Sequence, residues 1–331
     1  MFRFGIVGCG KISHRHAAEA SKHGKLVAVC DIIRERADRL AADFDARSYY
    51  DLNEVLDNED LDVVAICTPN GLHATHSIAC LQAGFHVLCE KPLSTTVEDA
   101  NKMIAAAGRS GKKLWVVKST RYNPALMHLK KLINDNVLGS IYSFQMNCFW
   151  NRPAEYYKDS WKGDRLLDGG TLFTQFSHYI DAMIWLFGEV ETVTGVRKNS
   201  AHANTIAFED NGCVSIEMKS GALGGLNWSV NSFAKNMEVS LTVLSEKATI
   251  EIGGEYMNHV KYVSGIDFNI DTEGAANDYG FYKGSMSNHD KIYKNLAESM
   301  RDENHPFTNG EDGLRTVEFI EKVYRQIPIL K

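Results

Sequence analysis

The chain has 331 residues, enough for two domains that each have a hydrophobic core. Apolar residues make up 44% and charged residues 24%, which is typical of globular proteins. The formal net charge is −6 and lysine and arginine form no run, which argues against nucleic acid or an anionic membrane as partner.

Five short, almost wholly apolar runs alternate with helical segments in the first third of the chain. The apolar runs cover residues 4–7, 26–30, 63–67, 86–89 and 114–117, and the helical segments cover 11–21, 34–42, 75–83 and 98–110. Wholly apolar strands are typical of parallel sheets covered on both faces. We therefore predict an α/β Rossmann domain with a doubly wound parallel sheet over residues 1–118.

The pattern changes after residue 118 to closely spaced strand-like runs. These runs cover residues 141–150, 190–196, 205–208, 213–218, 223–230, 239–244 and 248–252, and helices are predicted at 124–134, 171–187, 290–301 and 311–326. The pattern predicts an α+β domain over residues 119–331 with a large, mostly antiparallel sheet. An uncovered sheet face favours a homodimer or homotetramer that forms through this sheet.

The remaining bulk features favour a cytoplasmic protein. We find no secretion signal and no apolar run near the roughly 20 residues of a membrane span. The seven cysteines form no C-x-x-C pair, so we expect reduced, buried thiols. The histidines show no convincing ligand spacing with acids or cysteines, and we expect no metal.

A glycine-rich turn follows the first strand. Gly8-Cys9-Gly10-Lys11-Ile12-Ser13 has the form G-x-G-x-x-S and leads into a helix, whose N-terminus suits a pyrophosphate. Asp31 ends the second strand, where a carboxylate binds the adenosine ribose and repels a 2′-phosphate. The motif predicts dinucleotide binding and favours NAD over NADP, although Arg34 is placed to pair with that phosphate.

Two further strand ends carry polar residues, at Thr68-Pro69-Asn70 and Glu90-Lys91-Pro92. Ligands of open parallel sheets lie outside the carboxyl ends of the strands, so these residues are expected near the cofactor. The expected cofactor-binding residues are Gly8, Gly10, Lys11, Ile12, Asp31, Arg34, Thr68, Asn70, His73, Glu90 and Lys91.

These motifs, together with Gly169-Gly170 followed by His178 and Asp181, resemble the Gfo/Idh/MocA oxidoreductase family over essentially the whole chain. The resemblance implies that Lys91 and His178 are the catalytic pair. Many members carry an aspartate four residues before that histidine, whereas this chain has Thr174. The difference argues against an inositol or glucose dehydrogenase.

Residues 121–124, 150–152, 160–163 and 169–178 resemble one branch of that family. Its bacterial members oxidise the C3 hydroxyl of UDP-N-acetylglucosaminuronic acid on the way to surface polysaccharide. The resemblance therefore implies an NAD-dependent dehydrogenase that acts on a UDP-sugar. A plain sugar or polyol dehydrogenase, an NAD-requiring glycosidase and a non-catalytic dinucleotide sensor remain alternatives.

The expected chemistry is the removal of a hydride from a secondary alcohol. His178 is the expected base and Lys91 the group that holds the alcohol oxygen, although the two roles can be exchanged. The diphosphate and carboxylate of a UDP-uronic acid require cations, which the segment from residue 152 to 165 supplies among aromatic residues. The expected substrate-binding residues are Asn123, Arg152, Tyr157, Trp161, Lys162, Arg165, Thr174, Gln175, His178 and His289.

Overall fold

The computed structural model describes residues 1–268, 270, 276–278 and 283–330. The chain forms two compact units, one of Met1–Lys118 with His289–Val317 and one of Ser119–Asn288 with Glu318–Lys331. Residues 289–317, which the sequence analysis placed in the C-terminal domain, thus belong to the first unit. Among the described residues, no helix combines the length and apolar character that crossing a bilayer requires.

The strands are β1 (Phe2–Val7), β2 (Gly24–Cys30), β3 (Arg47–Tyr49), β4 (Val63–Ile66), β5 (His86–Cys89), β6 (Leu114–Val116), β7 (Ile141–Phe149), β8 (Val190–Lys198), β9 (Asn211–Met218), β10 (Leu223–Ser229), β11 (Glu238–Ser245), β12 (Thr249–Gly253), β13 (His259–Ser264), β14 (Ala276–Asp278), β15 (Lys283–Met286) and β16 (Ile329–Leu330). The α-helices are α1 (Ser13–His23), α2 (Arg34–Phe44), α3 (Leu52–Asn58), α4 (His73–Gln82), α5 (Val97–Ser110), α6 (Pro124–Asn134), α7 (Ala154–Tyr157), α8 (Ser177–Phe187), α9 (His289–Arg301) and α10 (Gly310–Gln326).

The first unit is built on a parallel sheet with the strand order β3-β2-β1-β4-β5-β6. Every residue of β4 is buried, as expected for a strand covered on both faces. The order reverses beside β1, so the loops after β1 and β4 bound a crevice at the carboxyl edge of the sheet. The predicted doubly wound sheet is confirmed.

The returning segment of the first unit packs on the helix that follows the glycine turn. α9 lies against α1, where the Tyr293 hydroxyl is 2.9 Å from His16 Nδ1. The Trp115 indole N–H of β6 donates to the Ser299 hydroxyl of α9 at 3.0 Å. α9 is amphipathic and buries Ile292, Tyr293 and Leu296, so burial of its apolar face accounts for its place in this unit.

The second unit is built on a sheet with the order β13-β12-β11-β7-β10-β9-β8-β16. Its neighbours are antiparallel except for β10 with β7 and β16 with β8. α8 covers one face, with Phe187 stacked on Phe144 at a centroid distance of 4.3 Å. The predicted large, mostly antiparallel sheet is confirmed.

The strand predicted at residues 205–208 is wrong, because this segment forms a turn and bends. The Asn199 side-chain amide donates to the carbonyl oxygens of Ile206 and Phe208, and the Ile206 N–H donates to the His202 carbonyl oxygen. These backbone groups are therefore satisfied without a neighbouring strand.

Candidate active site

The glycine turn after β1 has the features of a dinucleotide site. Gly8 has a φ of +94°, and a β-carbon there would lie 2.6 Å from the Cys67 backbone. A β-carbon on Gly10 would meet no described atom within 4 Å, so glycine at this position leaves the backbone open to a ligand. Lys11–Ile12 then lead into the N-terminus of α1. The turn fits a pyrophosphate.

Asp31 follows β2 and is anchored on both carboxylate oxygens. Its Oδ2 accepts the Cys9 N–H at 2.7 Å and its Oδ1 accepts the Ile33 N–H at 2.8 Å. Each oxygen keeps a further lone pair, so the carboxylate fits the ribose hydroxyls of NAD. The Arg34 guanidinium lies 3.9 Å from the centroid of the Tyr50 ring.

His73, at the start of α4, bridges the loops after β4 and β5. Its ring nitrogens lie 2.7 Å from the Pro92 carbonyl oxygen and 2.9 Å from that of Thr68. Burial lowers the pKa of His73, which these two hydrogen bonds oppose. Asn70 is buried in the same loop. His73 thus ties together two of the expected cofactor-binding segments.

Glu90, directly after β5, is held inside the first unit. Its Oε1 lies 2.9 Å from His16 Nε2 and 3.3 Å from His289 Nε2, while its Oε2 accepts the Lys91 N–H at 3.0 Å. We expected His289 to contact substrate, but this geometry favours a supporting role. His16, at sequence separations of 74 from Glu90 and 277 from Tyr293, was missed because no local pattern links them.

The glycine pair of the second unit packs against α10. Gly169 and Gly170 have φ values of +86° and +132°, and a β-carbon on Gly170 would lie 2.4 Å from the Tyr324 hydroxyl. A π-helical turn, Leu172–Phe176, follows and leads into α8, which carries His178 in its first turn. The positive φ values favour glycine at both positions, and the closeness of Tyr324 excludes a side chain at Gly170.

Asp168 is a buried acid that sequence reasoning missed. Its carboxylate accepts the Gly163 N–H at 2.8 Å and the Gly170 N–H at 3.3 Å, and the Thr174 hydroxyl donates to its Oδ1. Burial raises the pKa of Asp168 to about 6 against these hydrogen bonds. Its place just before the glycine pair is the one sequence signal that points to it.

Gln175 is engaged by protein groups. Its Oε1 accepts the Arg152 Nε–H at 2.8 Å, and its Nε2 donates to the Tyr156 hydroxyl at 2.9 Å. Arg152 is buried, and its Nη1 also donates to the carbonyl oxygen of Asn151 and to Asn236 Oδ1. These contacts favour a structural role for Gln175 over the direct sugar contact that the sequence suggested.

The other cations and aromatic residues of this segment differ in exposure. Tyr157 is buried beside Tyr156, Ile206 and Phe208, and burial raises its pKa. The Lys162 ammonium lies 4.0 Å from the centroid of the Tyr156 ring. Trp161 is half-buried and Arg165 is exposed. Lys162 and Arg165 are thus the more accessible of the expected cations.

Asn123 caps α6. Its Oδ1 accepts the Ala125 N–H at 3.0 Å, and its Nδ2 lies 2.9 Å from the Met257 carbonyl oxygen and 3.3 Å from that of Tyr256. Both ends of the amide are therefore used within the second unit, which favours a structural role over the expected substrate contact.

His178 is 8% exposed, near the N-terminus of α8. One turn further on, the Asp181 carboxylate accepts two hydrogen bonds from Arg121, both at 2.8 Å. Such a two-point ion pair fixes the helix that carries His178 to the segment before α6.

The switch-point crevice, the glycine turn and the carboxylate after β2 define the first unit as an NAD-binding Rossmann domain of the oxidoreductase class. Residues 2–118 match the NAD-binding Rossmann fold of an oxidoreductase family, and residues 130–328 match the C-terminal alpha/beta domain of the same family. The chain belongs to the Gfo/Idh/MocA family of oxidoreductases.

Two solved structures are similar to the chain over almost its whole length. WlbA dehydrogenase of Chromobacterium violaceum, in complex with NADH and UDP-GlcNAcA, is 36% identical with a TM-score of 0.90, covering 98% of this chain and 93% of that one. WlbA dehydrogenase of Bordetella pertussis, in complex with the same two molecules, is 34% identical with a TM-score of 0.89, covering 98% and 96%.

A curated relative matches in part. Scyllo-inositol 2-dehydrogenase (NADP(+)) IolW of Bacillus subtilis (strain 168) is 32% identical over 194 residues, which is 56% of this chain and 54% of that protein. The match thus spans about half the length of that relative. The finer substrate assignment depends on the full-length similarities instead.

Proposed function

We propose that the protein is an NAD-dependent dehydrogenase that oxidises the C3 hydroxyl of UDP-N-acetylglucosaminuronic acid, on the way to surface polysaccharide. The observation that carries the proposal is the similarity to two WlbA structures in complex with NADH and UDP-GlcNAcA, which covers 98% of this chain. The turn at Gly8 and Gly10 and the anchored Asp31 carboxylate support the cofactor assignment.

Bound NAD supplies a hydride acceptor. In the proposed reaction His178 takes the hydroxyl proton of the substrate, because an imidazole titrates near working pH. Lys91 donates a hydrogen bond to the same oxygen and stabilises the negative charge that develops on it. These roles follow from the family resemblance.

Thr174 has a defined hydrogen-bonding direction. Its hydroxyl proton is directed to Asp168, so its oxygen presents lone pairs to any further partner. We therefore assign to Thr174 the role of acceptor for a hydroxyl or amide N–H of the sugar. Lys162 and Arg165 supply positive charge for the diphosphate or the carboxylate.

A sugar or polyol dehydrogenase is the second candidate, because IolW is an inositol dehydrogenase. The family resemblance leads us to expect an aspartate where this chain has Thr174. This difference favours the UDP-sugar dehydrogenase over an inositol dehydrogenase. The NAD-requiring glycosidase is a further alternative. An enzyme of that kind would release the aglycone from an aryl N-acetylhexosaminide without accumulation of NADH.

The test is a screen of UDP-sugars, free sugars and inositols with NAD⁺, in which melting temperature and NADH absorbance are measured. We expect UDP-N-acetylglucosaminuronic acid to give the largest rise in melting temperature and NADH formation. K91M and H178Q should each lower turnover by about 10²–10⁴-fold while NAD⁺ still binds. K25M and H259Q change exposed residues and serve as controls. Turnover of inositols alone, or unchanged turnover in both variants, contradicts the proposal.

A further inference from the structure

A buried cluster in the first unit contacts the backbone N–H of Lys91 through Glu90. It consists of Glu90, the imidazoles of His16 and His289, and Tyr293, and all four residues are at most 8% exposed. Burying an ionised carboxylate costs several kcal/mol unless hydrogen bonds compensate. The Glu90 carboxylate, directly beside Lys91, therefore depends on the hydrogen bonds of this cluster.

The hydrogen bonds of His16 define one arrangement of protons. Its Nδ1 lies 2.9 Å from the Tyr293 hydroxyl and its Nε2 lies 2.9 Å from Glu90 Oε1. If Tyr293 donates to Nδ1, His16 carries its single proton on Nε2 and donates it to Glu90. Burial lowers the pKa of His16, which agrees with this neutral ring.

His289 provides the second donor from α9. Its Nε2 lies 3.3 Å from the same Glu90 oxygen, and its Nδ1 has no hydrogen-bond partner within the described parts of the chain. Because a carboxylate oxygen accepts, the nitrogen that faces it, Nε2, is the donor. Two imidazole N–H groups thus converge on Glu90 Oε1.

Glu90 is ionised in this setting. Burial alone would raise the pKa of Glu90, but the hydrogen bonds of His16 and His289 hold it well below its ordinary value. The other oxygen, Oε2, accepts the Lys91 N–H at 3.0 Å. The carboxylate therefore links α1 and α9 to the backbone at Lys91.

The spacing favours hydrogen bonding over metal coordination. Two imidazoles and a carboxylate form a donor set that suits zinc. Donors bound to one zinc ion at about 2.0–2.2 Å lie roughly 3.3 Å or more from one another. The distance from His16 Nε2 to Glu90 Oε1 is 2.9 Å, which is shorter than that spacing and is a normal hydrogen-bond distance.

We propose that His16 and His289 are positioning residues that hold the Glu90 carboxylate, whose second oxygen fixes the backbone N–H of Lys91 and so the direction of the Lys91 side chain. The effect on turnover rests on the proposed function, in which Lys91 contacts the substrate. The placement of the Lys91 backbone does not depend on any substrate. A displacement of about 1 Å at a reacting group can cost about 10²-fold in rate.

The experiment compares H16M and H289M, which lose the donor, with H16Q and H289Q, which keep an amide N–H in place of Nε2–H. Amide hydrogen exchange at Lys91 is followed by NMR in the full chain. We expect exchange at least tenfold faster in the methionine variants and within threefold of the unchanged protein in the glutamine variants. With UDP-N-acetylglucosaminuronic acid, kcat should fall about 10–100-fold in the methionine variants, while the Kd of NAD⁺ changes less than threefold.

The outcomes separate the two proposals. Unchanged exchange at Lys91 in both methionine variants overturns the positioning role, whatever the activity. An equal loss in the methionine and glutamine variants also overturns it, because loss of packing alone then explains the effect. Stoichiometric zinc in the purified protein replaces it with a metal site. The expected exchange results without turnover of any UDP-sugar retain the positioning of Lys91 and reject the proposed function.

Discussion

Thr174 stands where the family resemblance led us to expect an aspartate, and a carboxylate, that of Asp168, is present beside it. Asp168 accepts the Thr174 hydroxyl proton and is anchored by the backbone of Gly163 and Gly170. The sequence showed the threonine but not its partner, because the contact depends on the turn at the glycine pair. The Thr174 hydroxyl and the Asp168 carboxylate therefore lie together at this position.

Asp168 predicts a pH dependence of stability. Its pKa is raised from 3.8 to about 6, so between these values the folded protein keeps a proton that the unfolded chain has lost. The free energy of unfolding should therefore fall as pH rises from about 4 to about 6, by on the order of 1–3 kcal/mol, and the contribution of this group should then level off. Urea denaturation from pH 4 to pH 8 measures this change.

The matched comparison is D168N, which should lack this part of the slope, with D57N as the control at an exposed acid. Neutral asparagine can still accept the Thr174 proton, so folding is expected to persist. If D168N and the unchanged protein show parallel stability curves across this range, Asp168 does not titrate there.

Asp31 predicts the choice of cofactor. Its carboxylate fits ribose hydroxyls and repels a 2′-phosphate, so calorimetry should give a lower Kd for NAD⁺ than for NADP⁺. D31N keeps an acceptor for the Cys9 N–H but removes the charge, and it should reduce the preference by about tenfold, or roughly 1.4 kcal/mol. Tighter binding of NADP⁺ by the unchanged protein would refute the argument and give Arg34 the deciding role.

Among the elements, the central parallel strands were predictable because burial on both faces leaves wholly apolar runs. β3 was missed because it has only three residues, none of them buried. β13 has no fully buried residue either, and β16 has two exposed residues. Short strands at sheet edges carry little hydrophobic pattern, so sequence periodicity does not reveal them.

The helix predicted over residues 171–187 shows a different limit. The structure divides it into the π-helical turn Leu172–Phe176 and α8. A π turn adds a residue to the helical repeat, so Thr174 and His178, four positions apart, do not have the i, i+4 relation that places two side chains on one face of an α-helix. Amino-acid composition does not distinguish a π turn from an α-helical turn, and the contact of the Leu172 N–H with the Tyr324 hydroxyl joins residues 152 positions apart.

At the scale of the whole molecule, sequence periodicity identified α9 but not the unit to which it belongs. A single amphipathic helix can cover either of two sheets, and the choice depends on partners distant in sequence. The Trp115 contact with Ser299 spans 184 positions, and that of His16 with Tyr293 spans 277. The same long-range contacts created the cluster around Glu90, which is why that part of the candidate site escaped prediction.

One face of the large sheet carries exposed leucines in the part of the chain that the structure describes, and we expect a homo-oligomer to form through it. Leu223 and Leu244 both pair with Ser143 of β7 from opposite sides, so they lie on the same face of the sheet, and they are 59% and 43% exposed. If copies associate through this face, replacing both leucines by lysine places like charges in a buried contact. Light scattering should then show a fall from a dimer or tetramer to the 37.0 kDa chain.

The stability of the separate chain should change little in this double variant, because both side chains are already exposed. M127K makes the same chemical change at an exposed residue of α6, 49% exposed, and should retain the parent mass. A parent protein that is already monomeric at micromolar concentration rules out the association. If the double variant keeps the parent mass, the interface does not lie on this face, because two lysines buried on each copy without acidic partners would prevent association.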